Sequence, residues 1–249
     1  QAELPTRWEW EFYGGDRSVD DLIRLERLYD GGIRQADAIL ERIVTRLREA
    51  GDLDDTLLVV CGDHGDGFGE PGLLPTEPRA VSHIVPMGES LLRVPLLVRP
   101  PGGGAGRRCH EPAALTAFPD VVSATIDGAA DSTGFARKVV SVTKQPITDD
   151  LRERFETNCA DPEPFFHASQ AVYVADPSTE DAVRKRYYWG EEAVECRIGD
   201  PGSLTVIESI DPATVTASFD EPAVDVREPL SGQQVSETAK EQLTALGYY

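Results

Sequence analysis

The stretch LLVVCGDHGDGFGEPG, residues 57–72, sets a short unbroken apolar run against an acid, a histidine and a burst of glycines. Thr56 to Cys61 reads as a fully buried strand, because an apolar run of this length bounded by turn residues is what a strand covered on both faces needs. Upstream, Gly51 closes a long helical pattern and Asp52 to Asp55 make a tight turn. Helix, turn and buried strand in that order predict an α/β fold with a mostly parallel sheet flanked by helices. In open sheets of that kind, ligands bind beyond the carboxyl ends of the strands, and Asp63 and His64 stand there. A carboxylate suits hard cations and an imidazole extends the range toward manganese and zinc, so the pair is a candidate metal site. The plainer alternative is a strand leaving the core through a polar turn. Gly65, Gly67 and Gly69 would let the backbone turn sharply and leave room for a substrate. His83 lies in a later loop, just before the next strand, from where it could return to the same crevice and meet an anionic oxygen. Divalent cations take about four to six ligands, so two are part of a set, with Asp66 and Glu70 as nearby acids.

Working outward, Ser18 is placed as a helix N-cap with Asp21 at the favourable third position. Leu22, Leu25, Tyr29, Ile33, Ala36, Ile39, Leu40, Ile43 and Leu47 then fall on one helical stripe, with Gly31-Gly32 as a candidate kink. Downstream, residues 65–90 are loop-rich, Val94 to Arg99 reads as a strand, and Pro112 to Ile126 as a helix with Leu115, Phe118, Val122 and Ile126 on its apolar side. A subdomain boundary is expected near residue 150, giving an α/β part over 1–150 and a carboxyl-terminal part over 151–249. In the second part, 171–175, 184–189, 193–198 and 203–207 read as a small antiparallel sheet. Residues 208–230 read as an acidic irregular crossing, and Gln234 to Leu246 as a last helix.

The chain has 249 residues with 40% hydrophobic content, enough for a sizeable core. Its formal net charge is −20, which repels phosphate backbones and anionic lipids and so argues against nucleic-acid or membrane-surface partners. Only four of the 24 basic residues are lysines, and this acid-rich, lysine-poor balance is similar to that of halophilic proteins. No apolar stretch is long enough to span a membrane. Cys61, Cys109, Cys159 and Cys196 are scattered singly, without metal-ligand spacing, and read as unpaired thiols of a reducing compartment, which favours the cytoplasm. Met87 is the only methionine, so Gln1 is not read as a translation start and the chain is expected to be a fragment or processed product.

The ordered series helix, then GDLDDTLLVVCGDHGDGFGEPG (51–72), then SHIVPMGESLLRVPLLVRPPG (82–102), resembles the carboxyl half of a sulfatase, a member of the alkaline-phosphatase superfamily. EPAALTAFPDVVSATIDG (111–128) and the ending EQLTALGYY (241–249) are similar to family segments as well. The resemblance implies hydrolysis of a sulfate monoester, on a small molecule or a glycan. It implies that Asp63 and His64 are one pair of ligands to a divalent cation, calcium first with manganese or zinc as alternatives. It implies that His83 contacts the ester's oxygens as a catalytic residue. The family's nucleophile is a formylglycine made within C/S-x-P-x-R, and none of the four cysteines sits in that motif. The first acid pair has no counterpart either, since Asp20-Asp21 opens a helix, so both are expected outside this chain and the chain alone is expected to be inactive. The rivals are a phosphodiesterase or phosphonate monoester hydrolase of the same superfamily, and a non-catalytic module that holds a cation or sulfated ligand.

His110, His167, Lys138, Lys144 and Tyr187-Tyr188-Trp189 are weaker candidates. An ordinary cap, a packed histidine, surface ion pairs and strand core account for them in turn.

Overall fold

A computed structural model of the chain describes residues 8–85, 87–129, 134–144, 146–176, 178–179, 182–199 and 204–219. The chain divides into two units, Gln1–Ser218 and Phe219–Tyr249. All but the first residue of the second unit, including the expected helix 234–246, lie outside the described residues.

After a short helix α1 (Trp8–Tyr13), the long helix α2 runs unbroken from Val19 to Ala50. Its ends are set by local chemistry. The Ser18 backbone N–H and hydroxyl both donate to the Asp21 carboxylate, at 3.1 and 3.0 Å. At the other end Gly51 takes the left-handed conformation (φ 81°) while Asp52 N–H reaches back to the Leu47 carbonyl at 3.0 Å. Gly31-Gly32 produces no break. The expected stripe exists as a helix, but only Leu22 on it is buried, and Tyr29, Ile33, Ile39 and Ile43 remain exposed.

A 3-10 turn, Leu53–Asp55, leads into β1 (Leu58–Cys61). Then come β2 (Gly67–Glu70), β3 (Ala80–Ser82), α3 (Glu89–Leu92), β4 (Leu96–Arg99) and α4 (Phe118–Ile126). β1 is half-buried with Cys61 exposed, and it pairs antiparallel with β4, Val59 opposite Val98. The expected full burial and parallel pairing are therefore not seen. The connection 62–95 carries the β2–β3 hairpin and the four-residue α3 but no long crossover helix, the element that usually returns a strand parallel. One face of β1–β4, with Leu57, Val59, Leu96 and Val98, packs on Ala117, Val121 and Phe135. α4 starts at Phe118 rather than Pro112, with a proline in its first turn; its buried residue is Val121, which packs with Ala117 and Phe135, while Phe118 and Ile126 are exposed.

The second half is a five-stranded antiparallel sheet in sequential order. It comprises β5 (Val139–Thr143), β6 (Ser169–Ala175), β7 (Val183–Trp189), β8 (Glu192–Ile198) and β9 (Leu204–Ser209), with α5 (Asp149–Asn158) and α6 (Glu163–Phe166) between β5 and β6. α7 (Pro212–Thr216) follows β9. Four of these strands match the expected ones, while β5 comes from before residue 150. Every described strand pair in the molecule is antiparallel. Alternation along β7 sends Lys185, Tyr187 and Trp189 to the buried face, where Tyr187 and Trp189 join Phe155, Phe165, Val194 and Cys196 in the main core. Trp10 and Tyr13 of α1 pack edge-on to Phe155 and Phe165, with Trp10 5.0 Å from Phe155 and Tyr13 4.8 Å from Phe165.

Candidate active site

β1 ends at Cys61, and the chain turns through Gly62 into Asp63 and His64. The Asp63 carboxylate accepts the His64 N–H at 3.0 Å, a local bond that tightens the turn. His64 Nδ1 lies 2.7 Å from the Gly65 carbonyl oxygen. A carbonyl can only accept, so Nδ1 carries a proton, and in the neutral tautomer that fits this bond the lone pair is on Nε2. That nitrogen is 3.8 Å from Asp63 Oδ2. Two donors bound to one cation at about 2.0–2.4 Å stand roughly 3–4 Å apart, a spacing that the 3.8 Å separation matches.

Gly65 is required here by contact, not by open space. Its N–H donates to Leu91 O at 2.8 Å, and a Cβ on it would come within 1.8 Å of Ser90 O. The turn after His64 thus rests directly on α3. Gly67 is constrained likewise, because a Cβ there would lie 2.5 Å from the Ala80 carbonyl carbon across the hairpin. Room for a substrate is not what these two glycines supply.

β3 ends in Ser82, whose φ of 56° makes it the one non-glycine among the described residues in the left-handed region. That reversal brings the His83 ring against His64, with centroids 4.2 Å apart and planes tilted by 31°. His83 Nδ1 also lies 3.4 Å from the Ser82 hydroxyl. The structure therefore brings Asp63, His64 and His83 together, as their positions in the chain suggested.

Asp66 is the residue whose part sequence reasoning left undecided. Its Oδ1 is buried with no hydrogen-bond partner. Burial raises its pKa, and the charges of His83 and then His64 pull the other way, with the Gly67 N–H also favouring the anion. His83 is shifted reciprocally: partial burial lowers its pKa first, the His64 charge adds to this, and Asp66 and Asp63 oppose it. Glu70 folds back to accept the Phe68 N–H at 2.7 Å and faces its own hairpin. Among the described residues, no group of three or more His, Cys, Asp or Glu converges as a complete cation site.

The weaker candidates lie elsewhere. Lys144 is not a surface ion pair: its ammonium donates to Phe165 O and His167 O at 2.8 and 2.7 Å, and burial pulls its pKa down to about 8. Tyr187 and Trp189 are core. His167 sits against Gly190 with its Nδ1 buried and unpartnered. All four cysteines are free. Among the described residues no helix is long and apolar enough to cross a membrane.

Known proteins bear on this geometry. The sulfatase family model matches residues 3–129, just over half of the 249. A choline-sulfatase of Rhizobium meliloti (strain 1021) is 30% identical over 96 residues, 39% of this chain and 17% of the relative. An extracellular sulfatase SULF-1 homolog of Drosophila melanogaster is 33% identical over 79 residues, 32% of this chain and 6% of the relative. The chain thus spans a small part of the curated relatives it matches. No solved structure matches it.

Proposed function

The chain belongs to the sulfatase family, and from that membership we propose that it works within a longer metal-dependent enzyme that hydrolyses a sulfate monoester. The observation that carries this reading is the juxtaposition of Asp63 Oδ2 and His64 Nε2 at 3.8 Å with the His83 ring stacked alongside. In this reading Asp63 and His64 supply two ligands to a divalent cation, calcium or, given the imidazole, manganese or zinc. Further ligands and the formylglycine nucleophile belong to segments outside the chain. When bound, the cation supplies Lewis-acid polarisation of the ester oxygens. His83 donates to a sulfate oxygen, its ring fixed by His64 on one side and the Ser82 reversal on the other. Asp66, held near His83, favours that ring's protonated, donating form. The small or glycan sulfate ester as partner rests on the family membership, while the net charge of −20 argues against a nucleic acid.

The same reading makes β1 and β4 part of a larger, mostly parallel sheet completed by other strands, with residues 1–150 belonging to the catalytic domain and 151–249 forming a carboxyl-terminal subdomain. The half-buried state of β1 and the 60% exposure of Leu97 support it, since an apolar strand pair is stable only when both faces are covered.

The test is Asp63→Ala in the full-length enzyme, assayed on an aryl sulfate and on the matching phosphate diester and phosphonate monoester. Turnover of the sulfate that falls by three orders of magnitude or more, on the scale of a lost metal or electrostatic contact, supports the reading. Near-normal sulfate turnover removes Asp63 from the site, and a wild type that prefers the phosphorus esters transfers the reaction to them. No turnover of any ester, with a cation still bound, leaves a binding module.

A further inference from the structure

Both histidines lean on backbone that is held from a distance by the five-stranded sheet. Glu89 opens α3, and its Oε1 accepts from Lys185 Nζ at 2.8 Å and from the Tyr173 hydroxyl at 2.8 Å. The same ammonium donates to the Met87 carbonyl at 3.0 Å and stands over the rings of Tyr187 and Tyr173, 4.6 and 5.3 Å from their centroids. Lys185 is 1% exposed. One buried cation therefore fixes the start of α3 and the segment that follows His83. α3 in turn is the wall on which the His64 turn lies, through the Gly65–Leu91 bond and the Ser90 contact. On the other side of β3, Tyr187 donates to Glu77 Oε1 at 2.7 Å, and Glu77 Oε2 accepts the Leu73 N–H at 2.7 Å. Lys185 and Tyr187 project from the same face of β7, so neighbouring side chains of one strand tie both ends of the segment that carries His83.

A buried ion pair is a poor device for stability, because desolvation offsets most of its attraction and apolar replacements are often neutral or better. It is, however, directional: an ammonium with a carboxylate, a carbonyl and two ring faces around it accepts one arrangement of those groups. A left-handed serine next to His83 persists only where the surroundings over-determine the backbone.

We propose that Lys185 is a positioning residue, which through Glu89 and Met87 holds α3 and the His83 segment so that the His64 and His83 imidazoles stack. The consequence for turnover rests on the sulfatase reading above; the stacking itself does not.

The chain has four histidines, so its imidazole protons can be assigned by NMR with His64→Gln and His83→Gln, and a cross-relaxation peak between the two rings reports the stack. The wild type gives that peak. The double variant Lys185→Met, Glu89→Leu keeps a cooperative melt and loses it, and in the full-length enzyme kcat on an aryl sulfate falls tenfold or more. A folded double variant that keeps the peak overturns the proposal, as does its absence from the wild type. If the double variant does not fold, Tyr173→Phe removes a single hydroxyl from Glu89. The peak should then weaken at least twofold, and an unchanged peak overturns the proposal. A wild type that shows the stack but hydrolyses no sulfate ester defeats the proposed function and leaves the clamp standing.

Discussion

The Asp63–His83 region and the five-stranded sheet treat their polar groups in opposite ways. Beside the sheet and within it, the carboxylates Asp176 and Glu195 are saturated. Asp176 accepts from Ser178 N–H and Oγ at 2.9 and 2.6 Å and from Arg197 Nε at 2.6 Å. Glu195 accepts from Arg184 and Arg186, each at 2.7 Å, and Lys185 is surrounded. Around the histidines, one carboxylate oxygen of Asp66 is buried without a partner, two imidazoles are pressed together, and Ser82 carries backbone strain. Such defects cost stability and persist only where a rigid neighbour supports them. The sheet is that neighbour, and substitutions in the two regions should differ in sign as well as in size.

The largest effect belongs to the sheet core. Trp189 is 0% exposed and its indole donates to Pro164 O at 3.1 Å. Trp189→Ala leaves a cavity and an unmet carbonyl, so a loss of about 3–5 kcal/mol is expected in urea unfolding. A loss below about 1 kcal/mol would mean that the core is not what supports the site.

Next comes acid. Hydrogen bonds from Ser178 and Arg197, with Arg184 adding to them, hold the Asp176 pKa well below the ordinary carboxylate range. The folded state then binds fewer protons than the unfolded one. Its stabilisation is complete above the unfolded value of about 3.9 and is lost as pH falls from there toward the folded value. Glu195 shifts the same way, chiefly through Arg186. Melting temperature should therefore drop steeply below about pH 4, and Asp176→Asn, already lacking the charge, should show a lower plateau and a shallower fall. Parallel curves for variant and wild type would show that the carboxylate's charge is not involved.

These contrasts mark what the sequence could disclose. α2 was legible at both ends because Ser18 with Asp21, and Gly51, act within a turn of where they stand. The β6–β9 strands were legible because alternation is a local record of a half-buried sheet. Asp63, His64 and His83 were legible as candidates because strand ends and loops before strands are where α/β folds gather ligands, and the structure sets the three side by side. What periodicity does not encode is which surface covers a face: the α2 stripe is apolar, yet Ile33 is 55% exposed. The same holds for direction, since an apolar run reads alike in parallel and antiparallel pairs, and β1 proved antiparallel to β4. α3 is four residues long and carries no periodicity of its own. Its role, like that of Lys185, arises from contacts with residues far away in the chain.

Ser82 gives a smaller stability effect with a clear sign. A β-branched side chain is least tolerant of φ 56°, so Ser82→Val should cost about 1–3 kcal/mol and disturb the His64–His83 stack. Ser82→Gly, which accepts that φ freely, should leave stability within about 1 kcal/mol of wild type, relief of strain offsetting the extra entropy of the unfolded chain. If valine were tolerated as well as glycine, the left-handed turn would not be under strain.

The smallest effect has the opposite sign to that of Asp176. Burial raises the Asp66 pKa against the pull of His83 and His64. The folded state thus keeps a proton that the unfolded chain has already released, and stability falls as pH rises from about 3.9 through the folded value. At neutral pH the ionised Asp66 is a liability to the fold. Asp66→Asn cannot ionise and should melt slightly higher than wild type at pH 7, with the difference vanishing below about pH 4. In the full-length enzyme it should lower turnover, because the anion that favours the protonated, donating form of His83 is gone. Gain of stability with loss of turnover is the signature of a group retained for chemistry. A variant that is less stable at pH 7 would place Asp66 with the saturated carboxylates of the sheet instead.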